Sequence, residues 1–430
     1  MRVAFTTLGC KVNQYETEML AERFAREGYE IVEPHDFADL YIVNSCTVTA
    51  SGDKKTRQLL RRLKKQNPAA LAALTGCYPQ AFPEEAAAIA EADIVTGSRN
   101  RSGLLAAVKR ACETGERVVE ILPHERGEEF EQMSVTGLRG RTRAFVKIED
   151  GCERYCSYCI IPKARGPIRS KPLEAIRAEL SDLAANGYRE VVLVGINLSS
   201  YGKDLGLRLI DAVELACGVE GIARVRLGSL EPELLTSEDI QRMAAQPKFC
   251  PQFHLALQSG CDKTLRAMNR HYDTAEYARI AADIRKSFEN PSLTTDIMVG
   301  FAGETEADFE ESVAFARKMN FAKVHVFAYS RREGTAAAKR PEQVPPSVKE
   351  ERSRRMIDAM NEVRKAFLFS QLGKTEEVLI ETTKTPLGYE GFTKNYTPVY
   401  VNCAEKFCGT VCKVRLEAVL EGHCVGTLVP

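Results

Sequence analysis

The sequence predicts an α/β protein in three parts: an N-terminal parallel α/β domain, a central partial (βα)6 barrel, and a small all-β barrel of the OB-like kind at the C-terminus. Three observations predict it. Strand-like and helix-like runs alternate over the first hundred residues, the alternation resumes at residue 143 for six further units, and residues 371–430 break into short β-type runs separated by turn residues. At 430 residues the chain is too long for one ordinary domain.

In order, VAFTTL (3–8) reads as a strand, and 14–27 as a helix with Asn13 as candidate N-cap and Gly28 as its stop. LYIVN (40–44) is a second strand, followed by a helix near 53–66. ALAALT (70–75) is a third, followed by an Ala- and Glu-rich helix from Pro83 and then DIVTGS. Cys10, Cys46 and Cys77 each follow a predicted strand, and the C-terminal edge of a parallel sheet is where ligands bind, so these distant thiols are expected to meet at one edge. Three unrelated buried thiols are the competing reading.

Residues 113–137 are rich in Glu and Gly with weak periodicity and read as a linker carrying at most one short strand, which sets the N-terminal domain at 1–112. Strands follow at 143–148, 190–196, 224–229, 252–258, 293–300 and 323–329. Helices are expected near 173–187, 207–217, 236–245, 274–288 and 305–319. This barrel domain spans 138–368 and includes most of a long charged helix at about 346–372. VLIETT, PVYVNC, GTVCKVRLEAV and CVGTLV form the terminal barrel, 371–430.

Bulk properties exclude several classes. The hydrophobic share of 44% supports full-sized cores, and Trp is absent. No apolar run reaches the length of a membrane span, and MRVAFTTLGC lacks the pattern of a secretory signal, so a cytoplasmic protein without a membrane partner is expected. Formal net charge is zero, which leaves a polyanionic partner to local basic surface. The 14 cysteines of a signal-free chain read as thiols or metal ligands.

The strongest motif is GCERYCSYCIIPKARG, which places Cys152, Cys156 and Cys159 as Cys-x-x-x-Cys-x-x-Cys just past the first barrel strand. Three thiolates this close suit three corners of an iron–sulfur cube, leaving one iron open to a small molecule. A zinc site needs a fourth ligand, for which only the distant His254 offers itself.

With Tyr158 before its last cysteine, the triplet resembles the signature of radical S-adenosylmethionine enzymes. In that superfamily S-adenosylmethionine chelates the open iron and is cleaved to a 5′-deoxyadenosyl radical. VGIN (194–197) stands where the superfamily has a glycine-rich strand end against the methionyl amine, which nominates Gly195, Ile196 and Asn197. LGCKVNQYET, VNSCTVT and TGCYPQ resemble the N-terminal domain of methylthiotransferases, and RVRLGSLEP, HLALQSGCDKTLRAMNRHY, DIMVGFAGETEADF and HVFAYSRREGT the rest of their core. FAGET and VFAYS carry Ala where the family commonly has Pro. The segment with GYEGFTKNYTPVYV resembles a TRAM domain, an RNA-binding barrel.

The resemblance implies that Cys10, Cys46 and Cys77 ligate a second 4Fe–4S cluster holding the sulfur to be inserted, and that S-adenosylmethionine serves as radical source and methyl donor. Of the branches that modify isopentenyladenosine in tRNA, an aspartate of a ribosomal protein, or threonylcarbamoyladenosine in tRNA, LGCKVNQYE, QSGCD and SRREGT most resemble the third. Its substrate is the adenosine beside the anticodon, modified at carbon 2. Sulfur source, electron donor and oligomeric state are not implied. A non-catalytic iron–sulfur protein that binds RNA is the alternative from another class.

Other residues carry paired readings. Ser229 and Glu231 in RVRLGSLEP, Gln258 beside His254, and Asp296 stand at strand ends as cofactor contacts or as caps and core pairs. Lys394 and Tyr396, with Tyr389, Phe392 and Tyr400, offer RNA contacts or barrel core. The basic runs KKTRQLLRRLKK (54–65) and KARGPIRSK (163–171) suit phosphates or, for the first, a solvated helix face. Cys403, Cys408 and Cys412 match no common ligand spacing, and Cys112, Cys217, Cys250 and Cys424 read as small hydrophobes.

Overall fold

Side chains buried on both faces mark the first sheet: all six residues of its third strand are inside, as parallel strands under helices require. The computed structural model describes residues 1–137 and 140–429, so the domain limits read at 138 and 430 lie outside the described residues. The sheet comprises β1 (Arg2–Thr7), β2 (Glu30–Val32), β3 (Leu40–Ser45), β4 (Leu71–Gly76), β5 (Ile94–Thr96) and β6 (Val118–Glu120), all parallel, in the order β2-β1-β3-β4-β5-β6. β6 comes from the segment read as a linker. Helices α1 (Lys11–Arg26), α2 (Ala50–Gln66), α3 (Cys77–Ala81), α4 (Pro83–Ala87) and α5 (Gly103–Thr114) connect and cover the strands.

Helix α1 starts three residues earlier than the predicted 14. Cys10, not Asn13, is its N-cap. The Asn13 amide is instead turned into the sheet edge, donating to the carbonyls of Leu8 (3.2 Å) and Ser45 (3.0 Å). A tertiary use of the side chain has displaced the local capping bond.

The central region holds β7 (Arg143–Lys147), a short antiparallel ribbon of β8 (Glu149–Asp150) and β9 (Arg169–Ser170), then β10 (Glu190–Val194), β11 (Arg224–Leu227), β12 (Ser229–Leu230), β13 (Gln252–Leu255), β14 (Ser292–Val299) and β15 (Lys323–Ala328). Two parallel sheets, β11-β10-β7 and β12-β13-β14-β15, meet where the chain passes from β11 to β12 at Gly228, and together they form the wall of a partial barrel. Its helices are α6 (Ile161–Arg165), α7 (Leu173–Ala185), α8 (Leu209–Gly218), α9 (Ser237–Ala244), α10 (Asp262–Ala267), α11 (Thr274–Ser287) and α12 (Glu306–Lys318). The capping boxes of Thr236 with Asp239 and Thr305 with Asp308 fix where α9 and α12 begin. The five longer helices and all six barrel strands lie within a few residues of their predicted positions.

Helix α13 (Pro346–Phe369) leads to a closed five-stranded barrel of β16 (Thr375–Thr385), β17 (Gly388–Thr393), β18 (Pro398–Val401), β19 (Val411–Leu420) and β20 (His423–Leu428), in the order β16-β17-β18-β20-β19. Val378, Ile380, Val399, Val401, Val414 and Leu416 fill it. One continuous hydrophobic core joins the N-terminal sheet to the central barrel.

The terminal barrel docks on the N-terminal ends of the central strands through buried charge. Glu190, at the start of β10, holds Arg224 (3.4 Å) and Arg226 (3.0 Å). N–H groups of the two guanidiniums also donate to the carbonyls of Glu377 (2.6 Å), Phe392 (3.2 Å) and Lys394 (2.9 Å). No helix among the described residues is long and apolar enough to cross a membrane.

Candidate active site

Cys10 follows β1, Cys46 follows β3 and Cys77 follows β4, and these three strands are neighbours in the sheet. The three thiols therefore stand side by side at one C-terminal strand edge. They run from exposed Cys10 through half-buried Cys46 to fully buried Cys77. Gly9 makes their approach possible: with φ +122°, a Cβ there would lie 2.7 Å from the Cys46 Cβ. Burial pushes the Cys77 thiol up to about 12 and raises Cys46, and in each case the neighbouring thiols of the set add to the rise.

Cys152, Cys156 and Cys159 line the loop between β8 and α6. Burial pushes Cys152 and Cys159 up to about 12, again with help from the other thiols of their set. Tyr158 packs edge-on to Phe301. All 14 cysteines are free. No group of three or more His, Cys, Asp or Glu among the described residues is placed to hold a single metal ion; a cube takes its thiolates on separate irons and so needs them further apart than one ion does.

Each set is met by one buried guanidinium. Arg270 donates to the Cys156 sulfur at 3.2 Å and pairs with Glu231. Arg165 donates through Nε to the Cys77 sulfur at 3.1 Å. Its other nitrogens reach Glu16 (2.6 Å), Asn13 (2.8 Å) and Asp150 (3.4 Å). Lys147 bridges Glu16 (2.7 Å) and Asp150 (2.6 Å), and Arg101 adds to Glu16 at 3.0 Å. Burial alone would raise the Glu16 carboxyl, but Arg101, Arg165 and Lys147 hold it down at about 2. Farther along, Arg332 of the SRREGT segment donates to Thr47 and pairs with Asp53, both at 2.8 Å, fastening the barrel to the loop after Cys46.

Of the strand-end residues named from the sequence, Glu231 reaches the second set through Arg270, and Gly195 and Asn197 lie against Glu149. Gly195 lies against Glu149: a Cβ there would sit 2.6 Å from Oε2, which accepts from the Asn197 amide at 2.7 Å. Burial lifts the Glu149 carboxyl well above the usual carboxylate range. Oε1 of Glu149 and Oδ1 of Asn197 are buried without a partner among the described residues. Ile196 is half-buried and Ser229 exposed. Glu231 stands at the N-cap of the short 3-10 turn Pro232–Leu234 without a side-chain capping bond; its amide donates to the Ser199 hydroxyl at 2.8 Å while its carboxylate goes to Arg270. Gln258 has φ +66°, a conformation uncommon for a non-glycine residue, and bridges to β14 by bonds to Asp296 (2.9 Å) and Met298 (2.8 Å). His254 bonds Thr294 (3.0 Å) and Asp296 (3.3 Å).

His254, Asp296, His325 and Phe327 share the face of β13–β15 that no helix covers, and all keep access to solvent. Lys11, next to Cys10, points into the same space. It is open to solvent yet walled by protein, 6.0 Å from the Phe145 ring, and burial together with Arg143 and Arg226 pushes its ammonium down to about 8.

Lys394 and Tyr396 face the central barrel. Lys394 donates to the Pro247 carbonyl at 3.1 Å. Tyr396 stacks on Phe392 at 4.5 Å, with Arg143 and Arg226 over its ring at 4.9 and 4.7 Å. Tyr389 and Tyr400 are buried. The run KARGPIRSK is not a surface patch: Arg165, Arg169 and Lys171 are buried, and Lys171 pairs with Glu179. KKTRQLLRRLKK is the solvated face of α2, with Lys54, Lys55, Arg61, Arg62 and Lys65 exposed. Cys217, Cys250 and Cys424 are buried as small hydrophobes are, but Cys112 is exposed.

The residues present fit two iron–sulfur clusters and a polar organic cofactor. Each set offers three free thiols and a cation to offset the charge of a thiolate-bound group, and the orphan oxygens of Glu149 and Asn197 await a polar partner beside the second set. Arg165, Arg270, Glu16 and Asp150 escape a sequence reading, because their partners lie far along the chain.

The model of the uncharacterized protein family UPF0004 matches residues 2–97, and that of the radical SAM superfamily matches 146–316. The chain is 36% identical over 422 residues to the threonylcarbamoyladenosine tRNA methylthiotransferase MtaB of Bacillus subtilis, covering 96% of this chain and 93% of that protein. To the protein of the same name from Aquifex aeolicus it is 37% identical over 380 residues, covering 88% and 93%. To the tRNA-2-methylthio-N(6)-dimethylallyladenosine synthase of Caldicellulosiruptor saccharolyticus it is 36% identical over 424 residues, covering 95% and 88%. Among solved structures, the radical S-adenosylmethionine methyltransferase TsrM of Kitasatospora setae aligns with a TM-score of 0.58 at 15% identity, covering 78% of this chain and 77% of that one. That likeness is one of fold.

Proposed function

The chain belongs to the radical S-adenosylmethionine methylthiotransferases, in the MtaB-type branch, and on that premise we propose that it inserts a methylthio group at carbon 2 of N6-threonylcarbamoyladenosine beside the anticodon of tRNA. The observation that carries the reading is the pair of three-thiol sets, one at the edge of each domain, joined by Arg165.

In this reading Cys152, Cys156 and Cys159 hold the cluster that engages S-adenosylmethionine, and Cys10, Cys46 and Cys77 hold the auxiliary cluster. When bound, these groups supply a radical that removes hydrogen from carbon, the sulfur and the methyl group. The chain's own residues do the rest. Arg165 and Arg270 offset thiolate charge at one corner of each set. Gly195 leaves room beside Glu149, and the orphan oxygens of Glu149 and Asn197 receive polar groups of the cofactor. Glu231 orients Arg270, Gln258 and Tyr158 border the cofactor, Asp296 acts with His254, and Ser229 stands open at the rim. Packing across the Glu16 network holds the two sets in one geometry, which is what a transfer between them requires.

The domains are proposed as 1–112, 138–368 and 371–430, with the end of α5 and the strand β6 carrying the first of them past 112. The last is a TRAM-like barrel that binds RNA, with Lys394 and Tyr396 setting its seat on the core. A digest of tRNA from a strain lacking the gene tests the function. The methylthio-threonylcarbamoyl nucleoside is expected to vanish and its unmethylthiolated form to accumulate. Loss of methylthio-isopentenyladenosine instead would reassign the substrate.

A further inference from the structure

We propose that Lys11 binds the carboxylate of the threonyl group on N6 of the substrate adenosine and so selects that base over one with an uncharged, apolar substituent. The inference rests on the substrate reading above and assigns the residue that enforces it.

The first support is charge. The two guanidinium groups that flank Lys11 are each neutralised by a carboxylate, whereas Lys11 is not. Arg143 pairs with Glu381 at 2.9 Å and Arg226 with Glu190 at 3.0 Å. Asp296, which faces the same space, is held by His254 at 3.3 Å. Among the described residues Lys11 makes no ion pair and no hydrogen bond; its ammonium meets the Phe145 ring at 6.0 Å. A lysine in such a cleft, flanked by two guanidinium groups, presents a site for an anion brought from outside.

The second support is position. Lys11 adjoins Cys10, the solvent-accessible thiol of its set. In adenine one ring nitrogen, N1, separates carbon 6 from carbon 2. The substituent on N6 and the carbon that receives sulfur therefore lie along one edge of the base. A residue beside the thiol set that is read as presenting sulfur to carbon 2 is within reach of the N6 substituent. That substituent is a threonyl carboxylate in one substrate and a hydrocarbon in the other, so a single cation there separates them.

The test compares wild type, Lys11→Gln and Lys11→Arg, each with clusters reconstituted, on tRNA carrying threonylcarbamoyladenosine and on the same tRNA with threoninol in place of threonine. The ratio of kcat/KM for the two tRNAs is taken within each preparation, so cluster loading cancels. Wild type is expected to favour the carboxylate by about tenfold or more, Lys11→Arg to keep most of that preference, and Lys11→Gln to bring the ratio near one. Equilibrium binding of the two tRNAs without reductant should show the same pattern independent of turnover. An unchanged ratio in Lys11→Gln, with both tRNAs losing equally, assigns Lys11 to support of Cys10 and overturns the proposal. Wild type that converts isopentenyladenosine tRNA but neither carbamoyl tRNA overturns the substrate reading instead.

Discussion

The guanidinium of Arg165 lies 3.1 Å from the sulfur of Cys77, although Arg165 follows Cys159 closely in the chain and Cys77 belongs to the other domain. The loop that carries one thiol set thus ends in a bond to the other. Arg165→Gln leaves Glu16 and Asp150 short of a buried partner, at a cost of about 3–5 kcal/mol. A lower denaturation midpoint and reduced iron content are expected. Arg165→Lys keeps the charge without the fork and should fall between. A variant as stable and iron-rich as wild type would deny the bond this role.

Separate losses are expected from the two thiol sets. Reconstituted wild type should carry about eight irons per chain, and Cys77→Ala about four. Cys77→Ala should still release 5′-deoxyadenosine from S-adenosylmethionine but form no methylthio product. Cys156→Ala should release none. Unchanged iron in Cys77→Ala would remove the auxiliary cluster.

Gly195→Ala places a Cβ 2.6 Å from the buried Glu149 Oε2. The crowding should cost about 1–3 kcal/mol and weaken S-adenosylmethionine binding, read by calorimetry on the reconstituted enzyme. Full retention of both would mean that Glu149 moves aside freely.

The Glu16 network predicts acid lability of one sign. Its cations lower the Glu16 carboxyl from 4.5 to about 2 in the folded protein, and Asp150 is lowered as well. A depressed carboxyl contributes its full stability above the unfolded value. That contribution is lost as pH falls from about 4.5 toward 2. Denaturation midpoints between pH 5 and 3 (about the window of loss) should fall more steeply for wild type than for Glu16→Gln. Parallel curves would contradict the assignment.

Glu190→Ala strips the anion from Arg224 and Arg226, whose other N–H groups hold the terminal barrel. Arg226 is left without its anion and Arg224 keeps only the more distant Glu377 at 3.9 Å, a cost of about 3–5 kcal/mol. Limited proteolysis should cut the α13–β16 connection faster than in wild type. An equal cutting rate would show that apolar contacts alone seat the barrel.

The fold was legible because its signals are local. Cys10, Cys46 and Cys77 each sit one or three residues after an apolar strand, and strand alternation alone brings them to one edge. What the sequence concealed is tertiary. Arg165 sits in a run that reads as a basic surface, and only the packed structure shows Glu16, Asn13 and Cys77 around it. Asn13 precedes a predicted helix as a cap would, yet its amide donates to the carbonyls of Leu8 and Ser45 at the sheet edge. Tyr396 has the composition of a base-stacking residue, but Arg143 and Arg226 already occupy its ring. In each case the partner lies outside any window a local pattern can scan.

The terminal barrel rests on the starting ends of the central strands, whereas the Cys152 loop and the edge with Cys10 lie beyond strand ends. Yet the two regions are not independent: Lys11, beside Cys10, and the Tyr396 ring of the terminal barrel lie against the same two guanidinium groups, Arg143 and Arg226. One pair of side chains thus belongs both to the seat of the barrel and to the approach to the first thiol set.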